Sequence, residues 1–181
     1  MMRRFILTVC LGVLSVTKPA WAAAKPELKF RPEVAKLQAS FAAPELWDGK
    51  RIPKAMQCAR NGGQNSHSPA LRVSGLPADT RSVVVFFSNP RAWHNHGLFR
   101  YLGTVEQGQV DIPAVPSGAA ASLPGSVAIF QGGSDTPGGS GAAWIGPCPS
   151  SGSGQYTVTV YALDADDTVA GQVSLDLGWA P

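Results

Sequence analysis

The chain is poor in charge, in cysteine and in helical rhythm. Charged residues make up 15% of its 181 positions, against about 25% in an ordinary soluble domain. It has no dense Lys or Arg cluster, so the electrostatic footprint of a nucleic-acid partner is missing and none is expected. Its longest apolar run, residues 5–16, falls short of the roughly 20 residues that span a hydrocarbon core, so stable membrane insertion is not expected either. No long segment repeats at 3.6 residues, and no helix–strand alternation argues for a parallel nucleotide-binding sheet. The glycine-rich stretch lacks the lysine and the strand-to-helix setting of a phosphate-cradling loop. ATP and NAD are thereby excluded, and no cofactor is expected. Catalytic signatures are equally scarce. Ser66-His67-Ser68 sets hydroxyls beside a base, but chain neighbours rarely meet in a triad, there is no Gly-x-Ser-x-Gly elbow, and no paired carboxylates stand out, Asp164, Asp166 and Asp167 reading as a solvated turn. The expectation is a protein that is not an enzyme.

What is present begins with a leader. Arg3-Arg4 precedes the apolar run and the small-x-small site Ala20-Trp21-Ala22 follows it, the pattern of a signal peptide over residues 1–22. Cleavage near Ala22, with Ala24 as the alternative, implies a periplasmic or secreted protein. Cys10 follows Val9 rather than a small residue, which argues against lipid attachment. The leader carries Arg3, Arg4 and Lys18 and no acid, leaving 12 basic and 12 acidic residues on a mature chain of 159. That length suits one domain with a sizeable core. Cys58 and Cys148 remain, and in an oxidising compartment an even pair reads as a disulfide, with two separate buried thiols as the alternative. Such a bridge would stabilise by roughly 4–5 kcal/mol at most.

Residues 23–40, with Pro26, Pro32 and a weak helical rhythm at Val34, Leu37 and Phe41, read as an N-terminal arm. Residues 41–181 read as the domain. Their apolar and alternating runs are separated by Gly, Pro, Asn and Ser clusters, the punctuation of an all-β protein. The predicted architecture is an antiparallel two-sheet β-sandwich with few short helices. Strands are expected over 71–74, 82–88, 98–105, 126–130, 156–163 and 173–177. The run Val83-Val84-Val85-Phe86-Phe87 is apolar on both faces, so it belongs inside a sheet, with one face on the core and the other under loops or a helix. Residues 131–141, with five glycines after Gln131, read as a mobile surface loop.

Several motifs share an order along the chain: Asp48-Gly49-Lys50-Arg51-Ile52-Pro53, Asn65-Ser66-His67-Ser68-Pro69-Ala70-Leu71, Ser74-Gly75-Leu76-Pro77, and Trp144-Ile145-Gly146-Pro147-Cys148-Pro149, followed by Tyr161-Ala162-Leu163-Asp164. In this order they resemble the phosphatidylethanolamine-binding protein family and its bacterial Raf-kinase-inhibitor-like branch. The resemblance implies a pocket at the sandwich mouth that holds phosphate-type anions. In the family it uses an Asp-Pro-Asp-x-Pro loop, a following His, a His-Arg-Tyr element and backbone amides of the Gly-Pro loop. Here the first loop falls on Asn89-Pro90-Arg91-Ala92-Trp93, the His on His96, and the last element on Gly154-Gln155-Tyr156. One carboxylate has become an amide, another an arginine, and the second His is gone. The candidate ligand-binding residues are therefore Asn89, Arg91, His96, Gly146, Pro147 and Tyr156.

Arg91 can be read two ways. Pointing inward, its fork would take a carboxylate or phosphate; pointing outward, it leaves the pocket degenerate. His94-Asn95-His96 has a spacing that can ligate a metal from a strand, with Asp111, Asp135 or His67 as third ligand only by composition; the ordinary reading without metal is favoured. Trp93, Trp144 and Tyr156 offer either an aromatic wall or core edge. The functional expectation is a non-catalytic binding protein for a small anionic or phospho-headgroup ligand. The alternative is a protein-interaction or inhibitor module with a vestigial pocket and a protein partner.

Overall fold

The computed structural model describes residues 27–91, 94–118, 122–131, 142–149 and 154–181, the side chains of His94 and Gln131 excepted. The expected leader, Trp93, Asp135 and nearly all of the expected loop at 131–141 lie outside the described residues. Those described form nine strands: β1 (Lys29–Lys36), β2 (Gln38–Phe41), β3 (Leu71–Ser74), β4 (Ser82–Asn89), β5 (His94–Tyr101), β6 (Gln109–Ile112), β7 (Val127–Gln131), β8 (Gly154–Leu163) and β9 (Thr168–Ala180). Two short 3₁₀ turns, Lys54–Met56 and Ala59–Asn61, are the helical elements among them. One sheet has the order β1-β9-β8-β4-β5-β7 and the other β2-β3-β6. Pairing is antiparallel except between β1 and β9.

The doubly apolar run sits mid-sheet, as its composition demands. Val83, Val85 and Phe87 enter the inter-sheet core with Val158 and Val160 of β8, Phe99 of β5, and Leu71, Val73, Val110 and Ile112 of the small sheet. Val84 and Phe86 face the other way and cluster with Leu98, Leu163 and Val169 beneath Leu28, Val34 and Tyr161. The outer cover is thus strand side chains together with Leu28 just before β1, where loops or a helix were expected. Aromatic rings fill the centre. Trp144 meets Phe87 edge-on with centroids 4.6 Å apart and Trp47 at 6.5 Å.

The N-terminal residues depart from the helical rhythm read in them. Pro32 cannot occupy a helix interior, and it lies within the irregular stretch between Phe30 and Ala35 where β1 loses register with β9. Charged residues and a proline on an edge are the ordinary protection of a sheet margin. Arg31 spans from this margin to Asp79 and, at 2.7 Å, to Asp164. Two further differences have tertiary causes. β5 occupies 94–101 rather than 98–105, because polar His94 and Asn95 pair with Asn89 and Ser88. β6 has no counterpart among the expected strands, because its two buried residues, Val110 and Ile112, are too few to show a period.

Cys58 and Cys148 form a disulfide across a separation of 90 residues. The turn at 48–53 closes when Asp48 Oδ1 accepts the backbone N–H groups of Lys50 (2.8 Å) and Arg51 (3.1 Å). Those two bonds hold the Asp48 carboxyl below the usual carboxylate range. The turn then exchanges hydrogen bonds with the end of β9, Trp179 N–H to Lys50 O and Ile52 N–H to Trp179 O, each 2.9 Å.

Candidate functional site

At one end of the large sheet the inward row of side chains changes from apolar to polar. Along β8 the inward positions run Ala162, Val160, Val158 and then Tyr156; on β4, Val83, Val85 and Phe87 give way to Asn89. The third member comes from β5 through a bulge. Phe87 pairs with Gly97 and Ser88 with Asn95, so His96 is the extra residue, and a bulge of this kind re-aims a side chain that strict alternation would place elsewhere. His96 and Tyr156 meet edge to face with ring centroids 4.9 Å apart. All three residues are buried: Asn89 is 8%, His96 1% and Tyr156 2% exposed.

Their orientations are set by backbone partners. His96 Nδ1 lies 3.1 Å from the Ile145 carbonyl, and the Ile145 N–H donates to His96 O at 2.7 Å. A carbonyl can only accept, so Nδ1 carries the proton and Nε2 of the neutral ring is the acceptor. Asn89 Oδ1 accepts the Arg91 N–H at 3.1 Å, which turns the amide so that Nδ2, a donor, faces Gly154. A Cβ on Gly154 would stand 3.0 Å from Asn89 Nδ2 and 3.0 Å from the Tyr156 hydroxyl. The amide and the phenol therefore converge on the space beside Gly154, the position where the resemblance implies a histidine.

The Gly-Pro loop crosses the same region. Trp144 is fully buried and its Nε1–H donates to Ser66 Oγ at 3.4 Å, so of the two readings of this ring the core is the observed one. Gly146 is buried, its N–H donates to Ser117 Oγ at 3.3 Å, and a Cβ there would fall 2.6 Å from Ser66 Oγ. Pro147 O accepts the Cys58 N–H at 3.0 Å. A shallow cleft of about 450 Å³ adjoins the disulfide, lined in part by Gln57, Asn65, Ser66 and Ser117. The Ser66 hydroxyl donates to Met56 O at 2.6 Å, so it is committed to the fold.

Arg91 stands apart from the trio. Its side chain is exposed, with the guanidinium 5.3 Å from the centre of the Trp179 ring. Trp179 pairs with Gln155, the residue before inward-facing Tyr156, which places the stacked pair on the sheet's outer face. His67 is half-buried near Pro116, its Nδ1 2.9 Å from Ser68 O, and Asp111 pairs with Arg72 at 3.0 Å on the small sheet. Among the described residues no three His, Cys, Asp or Glu side chains gather as a metal-binding group. The structure thus brings together Asn89, His96, Tyr156 and the Gly146-Pro147 loop and leaves Arg91 outside. Ile145, Ser117 and Trp179 were missed from sequence. Ile145 acts through its backbone, and a side-chain pattern carries no trace of that.

Comparison with known proteins bears on the family and the fold. Residues 42–179 match the profile of the phosphatidylethanolamine-binding protein family. A solved homolog of that family from Chlamydia trachomatis aligns at 18% identity over 81% of this chain and 97% of its own, with a TM-score of 0.51. Escherichia coli YbcL, described as a member of the mammalian family, aligns at 18% identity over 80% and 99%, also with a TM-score of 0.51. Curated proteins gave no match. A mostly antiparallel two-sheet fold whose family profile spans the domain from just after β2 to the end of β9 leaves one conclusion: the chain belongs to the phosphatidylethanolamine-binding protein family.

Proposed function

We propose that this protein is an exported, non-catalytic binding protein that takes a small anionic ligand of phosphate type at the mouth framed by Asn89, His96, Tyr156 and the 145–147 loop. The observation that carries the reading is the convergence of three polar side chains from β4, β5 and β8 on one spot capping the core. Family membership supports binding of a phospho-group, since that is what the family is named for. The chemistry suits it. An amide N–H₂ and a phenol O–H are neutral donors, and hydrogen bonds to a charged acceptor contribute about 1.5–3 kcal/mol each where water is excluded. With an amide at position 89 the site repels an anion less than a carboxylate would. Export is supported by the leader pattern and by the Cys58–Cys148 bridge; mass spectrometry of the mature N-terminus tests it. For binding, inorganic phosphate and phosphoethanolamine are titrated into wild type, Asn89→Ala and Tyr156→Phe. Each variant should lose roughly tenfold or more in affinity, and no binding by wild type at millimolar ligand would sink the reading.

The near-complete burial of the trio and the outward placement of Arg91 favour a second reading. In it the polar row is a structural cap on a vestigial pocket, and the protein works as an interaction or inhibitor module through its surface. A partner from the exported compartment whose affinity is unchanged by Tyr156→Ala and His96→Ala, together with silent phosphate titrations, selects this alternative.

A further inference from the structure

The residues 145–149 form a strap across the mouth, and the strap is anchored at two points of different kinds. On its N-terminal side Trp144 is packed into the core against Phe87 and Trp47, and the backbone at Ala143 presses on β5 so closely that a Cβ on Gly97 would fall 2.0 Å from Ala143 O. On its C-terminal side three successive carbonyls are held by the segment 58–61. Cys58 N–H donates to Pro147 O at 3.0 Å, Arg60 to Cys148 O at 3.1 Å and Asn61 to Pro149 O at 3.4 Å. The Cys58–Cys148 bond lies in the middle of that seam. Between the anchors, Ile145 makes its two-point pairing with His96, and the Gly146 N–H donates to Ser117 Oγ at 3.3 Å.

We propose that the disulfide is a positioning element of the mouth: by seating the strap it holds the Ile145 carbonyl where it fixes the orientation and tautomer of His96. Two of the three seam hydrogen bonds come from Arg60 and Asn61, an exposed and a half-buried residue, and hydrogen bonds open to water hold a segment weakly. A covalent tie keeps their donors and acceptors at contact distance. Without it the seam opens on its C-terminal side while Trp144 stays in place, and the Ile145 carbonyl loses its fixed aim. The effect on binding rests on the function proposed above; the effect on His96 does not.

The test uses the full mature protein, ¹⁵N-labelled at histidine. Dithiothreitol supplies two electrons and two protons, the S–S bond breaks, two S–H groups form, and the reagent leaves as its cyclic disulfide; a thiol titration confirms two free groups. The His96 ring nitrogens are read by long-range ¹H–¹⁵N correlation above about pH 8, where imidazoles are neutral, and inorganic phosphate is titrated in parallel. The oxidised protein should show the single Nδ1–H tautomer and the reduced protein a mixture of both. If the seated strap falls to about one tenth of the population, phosphate affinity falls about tenfold with it. Unchanged His96 nitrogens with both thiols free overturn the proposal, and so does global unfolding on reduction, which would make the bridge a general staple. Gly146→Ala gives an independent check with the bridge intact, since its Cβ would lie 2.6 Å from Ser66 Oγ and 2.8 Å from the Gln57 carbonyl carbon and so lift the strap. It should reproduce the mixed tautomer, and a single tautomer there also overturns the proposal. A tautomer change without phosphate binding in either state supports the positioning role and removes the ligand reading instead.

Discussion

Replacing Gly97 with alanine should destabilise the protein far more than its one added methyl suggests. The backbone there has φ +134°, a region that residues with a side chain rarely adopt, and the new Cβ would stand 2.0 Å from Ala143 O, 2.6 Å from Ala143 C and 2.9 Å from Trp144 Cα. Every one of these is a backbone atom, so no rotamer change relieves the contact. Either the strap withdraws from β5, taking the Trp144 backbone with it, or the bulge at His96 is reset. Backbone strain of this kind costs about 1–3 kcal/mol and overpacking about another 1–3 kcal/mol, so a loss of roughly 4 kcal/mol is expected. For a domain of this size that lowers the thermal midpoint by about 8–16 °C. Two other glycines separate the contributions. Gly118 has φ +107° with nothing within 4 Å of its Cβ position, so Gly118→Ala carries the strain alone. Gly125 has open space and an ordinary φ, and its alanine variant should be neutral or slightly stabilising. Thermal unfolding followed by circular dichroism reads the order Gly97→Ala below Gly118→Ala below Gly125→Ala. If Gly97→Ala melts no lower than Gly118→Ala, Ala143 does not pack on β5 and the account of the strap is wrong.

Three further outcomes are expected. Asn89→Asp keeps the acceptor that receives the Arg91 N–H but turns the donor beside Tyr156 into an anion, so phosphate affinity should fall by roughly tenfold or more; equal affinity in calorimetry would show that position 89 is not in contact. Asp164 is held below the usual carboxylate range by the Thr168 N–H and then by Arg31, and Asp79 by Arg31. Carboxyls depressed in the folded state contribute stability above their unfolded pKa near 3.8 and lose it as pH falls through the lower folded value. The thermal midpoint should therefore drop as pH falls below about 4, and Arg31→Ala should flatten part of that slope; an identical slope in both proteins refutes the pairing. Phe87→Ala removes a fully buried ring lying against Trp144 and Phe99 and should cost about 3–5 kcal/mol in denaturant unfolding, with a loss under about 1.5 kcal/mol contradicting its central place.

The all-β class was legible because strand periodicity is a local property. Tyr156, Val158, Val160 and Ala162 alternate with Thr157, Thr159 and Tyr161 in the sequence and in burial alike, and five apolar residues in a row at Val83–Phe87 leave a strand no solvent face. The rigid Gly146-Pro147 loop and the cysteine pair were legible too, since each is a residue type whose chemistry is local; Asn89, His96 and Tyr156 became candidates only through the family resemblance, because nothing in their own surroundings marks them. β1 was not, because its register comes from β9 and its charges and Pro32 mark an edge only once the sheet exists. Nor was the fate of Arg91, whose direction was decided by the ring of Trp179, 88 positions away.

Composition and period, then, determined the all-β class and most of the strands, and the family resemblance supplied the polar candidates at the rim. Which of those residues meet was decided by tertiary structure. Sheet order sets β4 between β8 and β5, a one-residue bulge turns His96 toward Tyr156, and the carbonyl of Ile145 orients its ring. Bulges and backbone carbonyls belong to every residue alike, so they leave no mark in a sequence until pairing between distant strands selects them.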